Sequence, residues 1–414
     1  MNMGIPFKKA LQLAGVEKFD SVLEVGCDNS DIRNDFNIKN YTGIVYGDFS
    51  YEANVDNVKY FKFKDISNVG NYDLVVCTEL ILSELDEDGL LCLLDILNCR
   101  ADKRIIICGS KIRNASTENS SYMHGDKLKE IISSGCDYVH LYKFFENDKS
   151  VIIVVDKIDD AYDKEKLCND ISQKDSELSV ENIDNPDLLL SAISASRTSF
   201  GWFTKHYPRI FEYPWVLENL RSFCENNFVV AEFGAGISPL PLMLSMYGAK
   251  VYTVDYGTAV SLEEIKNGNE WGFFDYSCID QDICSLNADL SKKMFGASSL
   301  DCWISVSVIE HLSSFERKRV FSIISKTLKK NGSLIITIDL KKGTNDLWNY
   351  NYGKKVEPIE IHGNLDDLVN ELQDFGFCDV QVDKIFMPLT EKVDIALLKA
   401  KLSEKKGFLG KFFV

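Results

Sequence analysis

One local pattern, a strand that ends in an acid and turns at once on glycine, occurs twice in this chain. Residues 21–30 read Ser-Val-Leu-Glu-Val-Gly-Cys-Asp-Asn-Ser, and residues 229–238 read Val-Val-Ala-Glu-Phe-Gly-Ala-Gly-Ile-Ser. An apolar run of this kind is a buried strand, and glycine supplies the sharp turn that a Cβ would obstruct. The two acids, Glu24 and Glu232, are 208 residues apart in a chain of 414. That separation predicts two successive α/β cores, since a single domain runs to roughly 150 residues.

The flanking sequence agrees. Apolar β-type runs alternate with helical stretches through residues 1–158, the signature of a mostly parallel sheet. Strands are predicted at 22–25, 43–46, 60–63, 74–77, 104–108, 138–144 and 151–155, the last two as an antiparallel pair. Residues 159–190 differ: from Lys157 to Asp187 ten acidic residues face four lysines, which reads as a solvated linker or an acidic docking segment. Residues 191–400 then repeat the first order, with strands predicted at 229–233, 250–254, 276–279, 302–306, 333–338, 380–387 and 394–399. An aromatic and basic stretch, 194–215, precedes that sheet and is expected either to cap a ligand cleft or to pack a domain interface. Residues 401–414 are a basic aromatic tail.

Composition narrows the function classes. With 45% hydrophobic and 26% charged residues the chain is a folded protein rather than a disordered one. A formal charge of −17 argues against nucleic acid as a partner, because gripping phosphates needs clustered Lys and Arg. Twelve scattered cysteines without a CxxC pair read as reduced thiols rather than disulfides or zinc ligands. No run nears the roughly 18 apolar residues of a spanning helix, and the N-terminus has no signal core, so a cytoplasmic protein is expected.

The second copy carries the more complete ligand pattern. Gly234-Ala235-Gly236 follows Glu232, and Asp255 ends the next predicted strand, 23 residues on, where a carboxylate can accept from both hydroxyls of a ribose. A third element, Gln281-Asp282-Ile283, lies just past the predicted strand 276–279, where a carboxylate could accept from an adenine amino group. A fourth is Ile-Ser-Val-Ser-Val-Ile-Glu-His-Leu at 304–312, which includes Ser305. All four are expected at the carboxyl ends of strands, where open α/β sheets bind ligands.

These residues resemble the class I S-adenosylmethionine-dependent methyltransferases over roughly residues 228–400. Glu-Phe-Gly-Ala-Gly-Ile-Ser-Pro-Leu-Pro-Leu and the later Val-Ile-Glu-His-Leu carry the resemblance, and Asn-Gly-Ser at 331–333 resembles the family's approach to its fifth strand. A nicotinamide enzyme shares Gly-x-Gly and a distal acid, but Ser238 and Pro239 depart from the Gly-x-Gly-x-x-Gly opening. The resemblance implies an α/β chain of two tandem doubly wound Rossmann-like seven-stranded methyltransferase domains, the first a degenerate copy, with S-adenosyl-L-methionine as cofactor. It implies that Glu232, Gly234 and Gly236 shape the methionine pocket, Asp255 holds the ribose, and Asp282 and Ile283 contact adenine. Ala235 and Ser305 complete the implied cofactor contacts.

Methyl transfer from a sulfonium is an in-line displacement that alignment accelerates and that needs no metal. A hydroxyl acceptor also needs a proton acceptor. His311, beside Glu310 after the fourth strand, is the first candidate and His206 the second; both could instead be structural. There is no Asp-Pro-Pro-Tyr element and no Pro-Cys pair, which leaves a small molecule, a glycan or a lipid-linked compound as acceptor. Trp348, Tyr350 and Tyr352 in the loop 339–357 could face a sugar or phosphate. Residues 399–414 hold five lysines against one glutamate, which suits an anionic membrane surface or packing on the domain itself or a partner.

In the first copy Asp28 stands at the second glycine position, Ser30 at the place of a third, and Val45 aligns with Asp255. Asp65-Ile66 matches Asp282-Ile283, and Asp48 could substitute for the missing acid. The expectation is a non-catalytic domain that serves as scaffold, acceptor platform or oligomer surface, with a divergent enzyme as the alternative. For the whole chain the competing class is a non-enzymatic assembly or sensor protein that binds the cofactor without transferring from it.

Overall fold

The computed structural model describes residues 5–26, 32–36, 38–45, 58–62, 66, 68–78, 87–110, 125–147, 150–157, 183–204, 206–224, 227–266, 272–289, 294–351, 353–387 and 392–403. Asp28, Ser30, Asp48, Asp65, Tyr352, most of the acidic linker and the basic tail from residue 404 lie outside the described residues. The chain divides into two compact units, Met1–Asp170 with Asn185–Phe203, and Ile171–Asp184 with Thr204–Val414.

The first unit is a seven-stranded sheet of β1 (Ser21–Val25), β2 (Asn40–Val45), β3 (Val58–Lys62), β4 (Tyr72–Cys77), β5 (Ala101–Ser110), β6 (His140–Glu146) and β7 (Ser150–Asp156). Its order is β3-β2-β1-β4-β5-β7-β6. Pairing is parallel from β3 through β5, and β7 closes antiparallel on β5 and β6. Six consecutive residues of β7, Val151 to Asp156, are buried, which is how a strand covered on both faces reads. On one face the helices Glu87–Arg100 and Gly125–Gly135 set Leu90, Leu94, Leu128 and Ile132 against Leu23, Val75 and Ile105.

The helix Pro186–Phe200 packs along β6 and belongs to this unit. Asp187 pairs with Lys129 at 3.0 Å, and Ser191 donates to the Lys143 carbonyl at 3.2 Å. The boundary that the sequence suggests at residue 190 therefore falls inside one helix. The stretch 194–215 is divided in the same way: its first residues finish this helix, and its last begin the first helix of the second sheet's unit.

The second unit repeats the architecture strand for strand. It holds β8 (Val229–Phe233), β9 (Lys250–Asp255), β10 (Ile283–Asn287), β11 (Leu300–Val306), β12 (Leu328–Lys341), the short hairpin β13 (Tyr350–Asn351) and β14 (Lys354–Lys355), then β15 (Phe377–Ile385) and β16 (Val393–Leu402). Its order, β10-β9-β8-β11-β12-β16-β15, matches the first sheet position for position. The winding reverses between β8 and β11, so a crevice opens at their carboxyl ends. The helix Ser314–Thr327 begins with a capping box of Ser313 and Glu316 and packs Phe321 and Ile324 beside Trp303, whose Nε1 donates to Thr327 at 2.9 Å. The helix Arg209–Leu220 lies on the other face, where Phe211, Trp215 and the preceding Tyr207 pack on Met387, Ile395 and Leu397.

One strand is misplaced by the sequence. The predicted strand 276–279 is a 3-10 turn, Tyr276–Cys278, and the third strand is β10. Only Ile283 of β10 is fully buried, so the strand lacks the apolar alternation that would announce it. Among the described residues no helix is long and apolar enough to cross a membrane.

Candidate active site

The glycine turn after β8 is tight for a physical reason. Gly234 sits at φ +69 with its N–H bonded to the Val254 carbonyl at 2.8 Å, and a Cβ built there would meet Val308 Cγ2 at 2.5 Å. Gly236 also has positive φ. Between them the buried Ala235 carries no group that could contact a ligand with specificity beyond its backbone. Ser305, at the end of β11, donates to the Phe233 carbonyl at 2.9 Å and ties the two strands that flank the crevice.

Glu232 is buried beneath this turn, and its Oε2 has no hydrogen-bond partner among the described residues. Burial raises its carboxyl to about 8, against the opposing pull of Arg209. A buried acid with an open oxygen is poised for a cationic ligand group. Asp255 lies across the turn at the tip of β9. Its Oδ2 accepts from the Gly236 N–H and its Oδ1 from the Tyr256 N–H, each at 2.8 Å. Burial raises this carboxyl too, while those two bonds hold it down. Two carboxylate oxygens offer about four lone-pair directions, so both remain able to accept from a ligand.

The adenine expectation for Asp282 and Ile283 is not compatible with the topology. Ile283 pairs with Val251 at the amino end of β10, whereas Asn287 pairs with Asp255 at the carboxyl end. Four residues at about 3.3 Å each put Ile283 roughly 13 Å away from the crevice edge. Asp282 is exposed there, and Ile283 is core. The groups beside Asp255 are instead Asn287, which exchanges hydrogen bonds with the Gly257 backbone, and Ala288, whose N–H donates to the Asp255 carbonyl at 2.9 Å.

Tyr276 is a site residue that the sequence conceals. Its buried phenol accepts from the Ser238 N–H at 2.7 Å and has the carbonyls of Ser238 at 2.9 Å and Gly236 at 3.1 Å as acceptors for its one proton, and so holds the far side of the glycine turn. Replacing Tyr276 with Phe leaves the buried Ser238 N–H without an acceptor. The expected cost is about 1–3 kcal/mol of stability, read from the urea midpoint.

At the carboxyl ends of β11 and β12 a second polar cluster forms. Glu212, fully buried on the helix Arg209–Leu220, pairs with Arg209 and accepts from Ser307 Oγ at 2.7 Å and from Thr337 Oγ1. Arg209 also donates to Ser307 Oγ at 2.8 Å. Asp339, only 4% exposed, lies with Oδ1 3.4 Å from Ser307 Oγ and Oδ2 3.6 Å from His206 Nε2. Its N–H donates to Glu310 Oε1 at 2.8 Å; burial, then the Asp339 charge, hold the Glu310 carboxyl well above its ordinary range. His311 Nδ1 lies 2.6 Å from the Tyr350 carbonyl, which assigns the proton to Nδ1 and leaves Nε2 as acceptor. Burial lowers the His311 pKa, so the ring is neutral near pH 7. The structure thus brings both sequence candidates, His206 and His311, around Asp339. Nothing local in the sequence marks Arg209, Glu212 and Asp339, because charges on a helix and after a predicted strand ordinarily face solvent.

The loop 339–357 is fixed over this cluster. His362, fully buried, lies 3.1 Å from the Glu310 carbonyl, 3.2 Å from the Trp348 carbonyl and 3.1 Å from Glu357 Oε1. Trp348 and Tyr350 stack obliquely, centroids 5.4 Å apart.

The first unit has the same glycine at the end of its first strand, beside different chemistry. Gly26 has φ +92 and its N–H bonds the Ile44 carbonyl, as Gly234 does with Val254. Glu24 pairs with Gly43 as Glu232 pairs with Thr253, so Val45 occupies the position of Asp255. Glu24 Oε2 accepts from the Tyr41 hydroxyl at 2.5 Å and the Ile32 N–H at 2.9 Å.

Residues 231–336 match the family model described as Methyltransferase domain. The match places a methyltransferase domain within the second unit. Among solved structures, a phosphoethanolamine N-methyltransferase 2 of Haemonchus contortus in complex with phosphomonomethylethanolamine and S-adenosylhomocysteine is 13% identical, with 97% of this chain and 100% of that chain covered and a TM-score of 0.34. A putative sarcosine dimethylglycine methyltransferase of Galdieria sulphuraria is 14% identical over 47% of this chain and 89% of its own, with a TM-score of 0.35. A 1,6-didemethyltoxoflavin-N1-methyltransferase of Burkholderia thailandensis is 15% identical over 45% and 76%, also at 0.35. No curated protein matches the sequence. The methyltransferase domain is therefore placed by its family match and its topology, and these distant likenesses carry no argument about its substrate.

Proposed function

We propose that the methyltransferase domain binds S-adenosyl-L-methionine and transfers its methyl group to a hydroxyl of a small-molecule or glycan acceptor. The observation that carries this reading is the pair of acids across the glycine turn. Glu232, with a buried open oxygen, suits the ammonium of the methionine moiety, and Asp255 suits the ribose hydroxyls. The cofactor supplies an electrophilic methyl on a sulfonium, and the chain's contribution is alignment and proton management. The cluster of Asp339, His206 and His311 supports a hydroxyl acceptor, which must lose a proton. A lipid-linked acceptor would draw its support from the basic tail. The free cysteines among the described residues suit a cytoplasmic setting.

For the first unit we propose a non-catalytic role as scaffold, acceptor platform or oligomer surface. Its support is that Val45 offers a ribose no acceptor, and that one carboxylate oxygen of Glu24, Oε2, already accepts from Tyr41 and Ile32. Calorimetric titration with S-adenosylmethionine is accordingly expected to give one site per chain; no binding, or two equal sites, sinks the reading.

Glu232 adds a proton signature. With its pKa at about 8 it is mostly protonated at pH 7, and pairing with an ammonium must lower that pKa. Binding near pH 7 should then release up to about one proton, and affinity should rise as pH climbs toward 8. Titrations in buffers of different ionisation enthalpy measure the release. The difference between wild type and Glu232→Gln separates it from titration of the ligand's own amine.

A further inference from the structure

We infer that His206 and Asp339 form the proton-accepting pair of the transfer. Asp339 is the positioning residue, holding Nε2 of the imidazole toward its carboxylate so that Nδ1 is presented to the acceptor hydroxyl. This rests on the methyl-transfer reading above and names the group within it that takes the proton.

The two histidines are not equivalent. His206 is 43% exposed at its side chain, with Nε2 3.6 Å from Asp339 Oδ2, an ion-pair distance that can tighten when acceptor docks. Asp339 is itself held by its neighbours: Oδ1 lies within reach of Ser307, and its N–H is bound to Glu310, which leaves Oδ2 to the imidazole. Around it Arg209 is committed to Glu212 and Ser307, so that cation already has its counter-charge. His311, by contrast, is anchored through Nδ1 to the Tyr350 carbonyl. A proton added to its Nε2 would create a cation in a more buried place: burial opposes it most, Arg209 and His206 oppose it further, and the favourable pull of the Tyr350 carbonyl and of Asp339 does not make up the difference. A proton added to His206 creates an imidazolium directly against the carboxylate of Asp339. A buried carboxylate behind a histidine sets the tautomer and stabilises the charge that forms, without itself taking the proton.

The step balances. A lone pair on the acceptor oxygen forms the C–O bond to the methyl carbon while the C–S bond breaks, its electron pair passing to sulfur. The hydroxyl proton moves to His206 Nδ1, and the imidazolium is then paired with Asp339.

Long-range nitrogen–proton NMR of the full-length protein tests the pair directly. His206 is expected as the Nε2–H tautomer, with that preference lost in Asp339→Asn; an Nδ1–H tautomer in the wild type, or no change in the variant, overturns the inference. His206→Gln provides the second variant, since its partly exposed side chain makes misfolding a lesser hazard than at buried Asp339. With labelled S-adenosylmethionine and excess methanol as the minimal hydroxyl probe, formation of S-adenosylhomocysteine should fall about 100-fold in His206→Gln, the upper range of what one general base contributes being larger. Equal rates in wild type and variant overturn the inference. Cofactor affinity should be unchanged in both variants; absence of cofactor binding in the wild type overturns the methyl-transfer reading itself, an outcome distinct from a failed tautomer test.

Discussion

Gly234→Ala should destabilise the methyltransferase domain by roughly 2–5 kcal/mol, with cofactor binding lost along with it. Two costs add. An alanine at φ +69 carries the left-handed penalty of about 1–2 kcal/mol. Its Cβ would also lie 2.5 Å from Val308 Cγ2 and 2.8 Å from Cγ1, an overpacking that typically costs another 1–3 kcal/mol. The two can be separated, because Val308→Ala removes both methyls while leaving the backbone angle untouched. In urea titrations the double variant should recover the steric share and keep the conformational one. Full recovery would mean that the left-handed angle carries no cost, and no recovery would mean that Val308 yields easily in the single variant.

Much of this site was legible because it depends on rigid local grammar. Glu232, Gly234 and Asp255 are found at fixed offsets around a strand, a turn and a second strand, and the structure puts them where that grammar requires. The same grammar identified Val45 as the counterpart of Asp255, and the parallel register of β1 with β2 and of β8 with β9 places them alike. What failed depends on tertiary context. Tyr276 reads as the start of a strand, yet its value lies in a phenol that reaches back across the sheet to the Ser238 backbone. Asp282 was given to adenine because the strand before it was set one element too early; with β10 in place, the carboxyl end moves to Asn287. Glu212 is an acid on an amphipathic helix, and nothing local distinguishes it from a solvated residue. Only the fold reveals that Ser307, Thr337 and Arg209 enclose it. Tyr41 likewise reads as an ordinary strand aromatic, although its hydroxyl occupies the acid of the first turn.

That last contact turns the duplication into an experiment. Asp255→Ala should weaken S-adenosylmethionine binding at least about 100-fold, because two charge-assisted bonds to the ribose, each worth roughly 1.5–3 kcal/mol, are lost together. The loss should exceed any change in stability: the Gly236 and Tyr256 N–H groups freed by the substitution lie at the partly exposed tip of β9, where water can replace the carboxylate. Binding within tenfold of wild type would remove Asp255 from the cofactor site. The reciprocal change, Val45→Asp, supplies the first unit with an acid at the same position on the same strand. It should nevertheless create no second site. A ribose acceptor is only half of the cradle, and Glu24 Oε2 already accepts from the Tyr41 hydroxyl and the Ile32 N–H, so an ammonium approaching that oxygen would have to displace both. Adding Tyr41→Phe to Val45→Asp frees one of those bonds. If calorimetry then detects a second, weaker site, the first unit lost its cofactor through two specific contacts; if it does not, the turn itself has diverged beyond repair by side chains.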